Sequence, residues 1–127
     1  MKVLIVEDET DVALSIEDAV LAAGCAVTGV ARTVAEAIEL AAEADVALVD
    51  VRLADGLTGP SLAERLSEQF SMGVVFVTGS PEFVSQAEIG IPVVLKPVTP
   101  QSVAEALKQA AMWREQNRRV RKPPASK

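Results

Sequence analysis

The chain has 127 residues, the size of one domain, enough to bury a core of several strands and helices and too short for a second module beside it. Half of its residues are hydrophobic and only 3% aromatic, with Ala, Val and Leu carrying the apolar load, a composition suited to helices packed on a Val-rich sheet and opposed to extensive disorder. It contains no histidine and one cysteine at a net charge of −6, which excludes an internal disulfide, zinc chemistry and histidine-based acid/base catalysis.

The charge is unevenly spread. Residues 1–113 hold 17 acids against 6 bases, while residues 114–127 hold 6 bases against 1 acid. A body of net charge −11 disfavours nucleic-acid binding, which needs a positive surface. The N-terminus carries neither a secretory signal nor a spanning run of about 20 apolar residues, so no membrane role and a cytoplasmic location are expected. Cys25 reads as a small, partly buried residue at a strand start.

In chain order, Val3 to Val6 is a continuous apolar run ending in acids, the pattern of a strand buried on both faces of a parallel sheet. From Asp11 to Ala23 the residues Val12, Leu14, Ile16, Ala19, Val20 and Ala23 recur at helical spacing, and Gly24 supplies a stop. Val27 to Val30 is a short strand. Thr33, with Glu36 three residues on, reads as a capping box opening a helix to Ala44. Val46 to Val51 is a second buried run, interrupted by the acid Asp50. After the turn-forming stretch 54–59, Pro60 fits the first turn of a helix to Phe70 with Leu62, Leu66 and Phe70 on one face. Val74 to Val77 predicts a strand ending at Thr78. The weakly periodic segment Ser80 to Gly90 predicts a short or irregular helix, and Val93 to Leu95 a last strand. Thr99 then caps a long helix through Val103, Ala106, Leu107, Ala110 and Trp113. Residues 1–116 form the expected domain and 117–127 a basic, disordered tail, with Trp113, Arg114, Arg118, Arg119, Arg121 and Lys122 read as a solvated helix end.

Strands alternating with helices predict an α/β chain with a flavodoxin-like (βα)5 doubly wound parallel sheet in strand order 2-1-3-4-5, because crossovers are right-handed. In such sheets the working site lies beyond the carboxyl ends of the strands, here between strands 1 and 3. Those ends carry Glu7, Asp8, Asp50, Thr78 and Lys96-Pro97. Three carboxylates within a few ångströms repel strongly unless a hard, oxygen-loving cation sits among them, and magnesium suits the set. With a metal bound, Asp50 can act as a nucleophile toward phosphorus, while Lys96 and the Thr78 hydroxyl stabilise charge on the equatorial oxygens. An acid closing a run of Val, Ala and Leu is costly to desolvate, which argues for a compensating partner.

Over residues 2–115 the chain resembles a response-regulator receiver domain of the CheY-like superfamily, with five positions agreeing in order. The resemblance implies Asp50 as phosphoryl acceptor and metal ligand, Asp8 as a direct metal ligand, Glu7 as a water-mediated one and the backbone carbonyl of Arg52 as the third protein ligand, with Mg2+ or another divalent cation such as Mn2+. It implies that Thr78 moves toward the phosphoryl group and that Lys96 pairs with it. The implied donor is a phosphohistidine on a sensor histidine kinase or histidine phosphotransfer protein. With no output domain expected after the last helix, signal would leave by binding a downstream protein target or by onward phosphotransfer in a phosphorelay. Homodimerisation through an apolar face is left open.

Two positions depart from the family pattern. Val93 stands where an aromatic usually switches rotamer, and Thr78 is only 18 residues from Lys96. Phe76-Val77-Thr78-Gly79 resembles the start of the F-A-T-G-hydrophobic-Tyr motif of the FAT GUY-type subfamily, although Ser80 and Pro81 fill its last two positions. Its members lack the same aromatic, so readout is expected in residues 80–90. Three rivals remain. An aspartate-nucleophile phosphohydrolase would place D-x-D after the first strand, whereas here the residue two beyond Asp50 is Arg52, which cannot deprotonate water. A flavodoxin-like cofactor binder needs a Gly/Ser/Thr-rich first loop, and Val6-Glu7-Asp8-Glu9 is its electrostatic opposite. A pseudo-receiver would keep the fold as an interaction platform without phosphorylation.

Overall fold

A computed structural model describes residues 1–53, 56, 58–80, 82 and 91–121. Five strands form one sheet, β1 (Lys2–Val6), β2 (Ala26–Ala31), β3 (Val46–Asp50), β4 (Gly73–Thr78) and β5 (Val93–Leu95). Their order is β2-β1-β3-β4-β5 with every pairing parallel. This is the expected sheet. Among the described residues four α-helices accompany it, α1 (Thr10–Ala22), α2 (Val34–Leu40), α3 (Gly59–Phe70) and α4 (Pro100–Arg121). The helix expected within residues 80–90 lies outside the described residues apart from Ser80 and Glu82.

Alternation along the strands divides the core into two layers, since successive side chains point to opposite faces. Leu4, Val6, Ala47, Val49, Val74 and Phe76 pack with Leu62, Ala63 and Leu66 of α3 and Ala37 of α2. Val3, Ile5, Val46, Leu48, Val75, Val77 and Val94 pack with Ile16, Ala19 and Val20 of α1 and Val103, Leu107 and Ala110 of α4. Both faces of β1, β3 and β4 are covered, which is why those strands read as unbroken apolar runs.

The helix ends follow the expected chemistry with two differences. Thr33 accepts from the Glu36 amide at 3.3 Å, but the Glu36 carboxylate reaches the amide of Arg32 at 2.8 Å, one residue before the cap. The helix it opens ends at Leu40 and tightens into a 3-10 turn over Ala41–Glu43 rather than continuing to Ala44. Pro60 lies in the first turn of α3. Thr99 and Ser102 cap α4 reciprocally, each side-chain oxygen accepting the other's amide at 3.0 Å.

One side-chain expectation also shifts. Leu14, counted with the buried stripe of α1, is 54% exposed, because the helix presents only its Ala13, Ile16, Ala19 and Val20 side to the sheet. At the C-terminus, α4 runs as helix through Arg121. Its 22 residues span about 33 Å, and Arg114 secures the far half by pairing with Asp45 at 3.4 Å. Residues 122–127 lie outside the described residues. No described helix is long and apolar enough to cross a membrane.

Candidate functional site

The alternation that builds the core also builds the site. Ile5, Leu48 and Val94 point to the α1/α4 side of the sheet, and the next residues in each alternation are Glu7, Asp50 and Lys96. Period-two geometry thus delivers two acids and an ammonium to one face at the carboxyl ends of β1, β3 and β5. Lys96 Nζ lies 3.1 Å from Asp50 Oδ2 and 3.1 Å from Glu7 Oε1. Its peptide bond to Pro97 is cis.

Burial sets the electrostatics. Glu7 is 1% and Asp50 6% exposed. Removal from water pushes the Glu7 carboxyl up to about 7, and the Asp50 charge adds to the rise; the Glu9 amide and the Lys96 ammonium only partly offset it. Burial alone would lower Lys96, but the hydrogen bond and charge of Asp50, with those of Glu7, outweigh it and hold the ammonium above its ordinary value. The ammonium therefore stays charged between the two acids.

The Asp50 carboxylate is held at both oxygens. Oδ2 takes Lys96 Nζ, and Oδ1 accepts the Arg52 amide at 3.2 Å. Just beyond, Leu53 and Gly56 exchange backbone hydrogen bonds of 2.8 and 2.9 Å. The Leu53 amide belongs to the same planar peptide unit as the Arg52 carbonyl, so this turn fixes the orientation of the carbonyl expected to bind metal. On the neighbouring strand, Thr78 is 3% exposed and its hydroxyl oxygen accepts the Ser80 amide at 2.9 Å. A hydroxyl that accepts through one lone pair still has its proton to donate.

All the expected site residues converge. Asp8, Asp50, Arg52, Thr78 and Lys96 line one cleft of about 480 Å3, together with Ser80. Glu7 is packed beneath it. One carboxylate oxygen from each of Glu7, Asp8 and Asp50 lies within 4.8 Å of the others, and buried Glu7 Oε1 has the Lys96 ammonium beside it at 3.1 Å. Three converging carboxylate oxygens against a single ammonium fit a hard divalent cation. Sequence reading missed the Ser80 amide on Thr78 and the Glu9 amide on Glu7 Oε2 at 3.1 Å. A hydroxyl residue two before an amide is a turn signal that could have found the first; no side-chain pattern marks the second.

Comparison with known proteins agrees with this fold. The response regulator receiver domain family matches residues 3–108. The chain is 36% identical over 123 residues to the phyllosphere-induced regulator PhyR of Methylorubrum extorquens, covering 93% of this chain and 46% of that protein. It superposes on the anti-anti-sigma factor PhyR of Bartonella quintana with a TM-score of 0.80 at 31% identity, over 94% of this chain and 50% of that one. It also matches SdrG of Sphingomonas melonis Fr1, with a TM-score of 0.75 at 34% identity over 87% of this chain and 95% of that one. The chain spans about half the length of the PhyR proteins it matches.

Proposed function

Because the chain belongs to the response regulator receiver domain family, we propose that it accepts a phosphoryl group on Asp50, from a phosphohistidine of a sensor kinase or phosphotransfer protein, and passes the signal on by binding another protein. The observation that carries this reading is the Asp50 carboxylate: buried at the end of a central strand, held at both oxygens, and open to a cleft that also holds Thr78 and Lys96.

Glu7, Asp8, Asp50 and the Arg52 carbonyl would hold Mg2+ or Mn2+, which when bound neutralises charge on the transferred group. The remaining steps fall to the chain's own residues. An Asp50 oxygen attacks phosphorus, the bond from phosphorus to the donor nitrogen breaks, and the nitrogen keeps that electron pair. The carboxylate is already the nucleophile, so no general base is required. Lys96, now on Asp50 Oδ2, has the reach to pair with a phosphoryl oxygen built on that carboxylate. Thr78 offers its hydroxyl proton to another such oxygen, which turns it away from the Ser80 amide. Arg52 supplies no base to activate water, so the acyl phosphate should turn over slowly and the chain should act as a phosphoacceptor rather than as a hydrolase.

For output, the Bartonella relative is an anti-anti-sigma factor, and the corresponding proposal here is contact with a downstream protein. Val93 is 41% exposed and has no ring to rotate, so the coupling proposed runs from Thr78 through Ser80, in the manner of the FAT GUY-type receivers. The test is chemical. Label taken up from acetyl phosphate in the presence of Mg2+ should be released by hydroxylamine, which cleaves acyl phosphates and spares phosphate esters; label that resists hydroxylamine would place it on a hydroxyl and overturn the reading.

A further inference from the structure

We propose that Gly59, the first residue of α3, is a positioning residue for the acceptor site, its amide holding the Val51–Arg52 peptide unit and that unit in turn orienting the Asp50 carboxylate. The inference rests on the reading of Asp50 as acceptor.

The relay is visible in two hydrogen bonds. The Gly59 amide donates to the Val51 carbonyl at 3.1 Å. The same peptide unit presents the Arg52 amide to Asp50 Oδ1 at 3.2 Å. Because the unit is planar and trans, its C=O and N–H point in opposite directions, so fixing one end aims the other. Each bond also polarises the next. The start of α3 is thereby tied to one oxygen of the acceptor, while Lys96 holds the other.

Only glycine permits the approach. A Cβ at position 59 would fall 2.3 Å from the Asp50 carbonyl oxygen, 2.7 Å from Val51 Cα and 2.8 Å from the Val51 carbonyl oxygen. All three are backbone atoms, and none can swing aside as a side-chain tip could. A larger residue must therefore move the very segment that carries Asp50 and Arg52.

A simpler account holds that Gly59 only lets α3 pack on the sheet. Gly73 separates the two accounts, because a Cβ there would meet the Ala110 carbonyl oxygen at 2.4 Å and its carbonyl carbon at 3.0 Å. That clash is as severe, but it lies at the other end of the sheet, where Gly73 pairs with Val46 while Asp50 pairs with Val77. Its own amide donates to the Asp45 carbonyl at 3.2 Å, at the far end of β3 from the carboxylate.

The experiment compares wild type, Gly59→Ala and Gly73→Ala by Mg2+ titration calorimetry, with thermal unfolding and acetyl phosphate labelling alongside. Both variants should unfold at lower temperature. Only Gly59→Ala should bind Mg2+ more weakly, by about tenfold, as loss of an orienting outer partner does at metal sites, with slower labelling at limiting Mg2+. If Gly59→Ala does not fold, an ester in place of the Gly59 amide replaces it: this removes the N–H that holds the Val51 carbonyl and adds no Cβ, and it should weaken Mg2+ binding in the same direction. Wild-type affinity in the folded variant, or equal weakening in Gly73→Ala, overturns the inference and leaves the acceptor reading intact. A wild type that binds no Mg2+ and takes no label overturns both.

Discussion

Lys96 reaches Asp50 across the end of the sheet, Nζ to Oδ2 at 3.1 Å over a separation of 46 residues, and the same ammonium stands 3.1 Å from Glu7. One cation thus bridges two buried acids carried by different strands. Lys96→Ala would leave both carboxylates uncompensated. The Lys96 side chain is 21% exposed, so the expected loss in urea unfolding is about 1–3 kcal/mol, below that for a fully buried pair. Mg2+ should restore part of it, stabilising the variant more than it stabilises the wild type. Unchanged stability would contradict the bridge.

Glu7 makes the metal-free chain sensitive to pH. Its carboxyl is raised from 4.5 to about 7, so the folded chain binds this proton more tightly than the unfolded chain does. The stabilisation from protonated Glu7 is full below pH 4.5 and is lost as pH rises through about 7. Urea unfolding at pH 5 and pH 8 should show the wild type losing stability relative to Glu7→Gln across that interval. Mg2+ affinity should rise over the same range, because protonation removes the Glu7 charge that helps hold the cation.

The two leucines Leu66 and Leu14 test the layered core. Leu66 is fully buried against β3 and β4, and Leu14 is 54% exposed. Leu66→Ala should cost about 2–5 kcal/mol and Leu14→Ala no more than about 0.5 kcal/mol, read from urea midpoints at constant slope. Equal costs would mean that α1 buries a different face.

Arg114 anchors the far half of α4. Its guanidinium meets Asp45 Oδ1, while Asp45 Oδ2 accepts the Lys2 amide at 2.8 Å. Both partners are partly exposed, so Arg114→Ala should cost about 0.5 kcal/mol globally. Amide exchange should accelerate along the last turns of α4, with labelling at Asp50 unchanged.

Much of this was legible in the sequence because the physics is local. Apolar runs closed by acids gave β1 and β3, and Thr33, Pro60 and Thr99 marked helix starts through their own hydrogen bonds or fixed φ. The convergence of Glu7, Asp50, Thr78 and Lys96 followed from their places at the carboxyl ends of four strands once the sheet order was assumed. What escaped depends on backbone geometry. The length of α2, the Arg32 amide taken by Glu36 and the approach of Gly59 to Val51 are set by how elements meet, and residue periodicity carries no trace of them. Leu14 misled because α1 buries only its Ala13, Ile16, Ala19 and Val20 side, a narrower stripe than its hydrophobic residues suggest.

The most direct measurement is intact mass after incubation with acetyl phosphate, with Mg2+ or with chelator, for wild type and Asp50→Asn. A gain of one phosphoryl group, about 80 Da, should appear only in the wild type and only with the metal, as metal-assisted transfer to a single carboxylate requires. The same gain in Asp50→Asn would contradict the assignment of Asp50 as the acceptor.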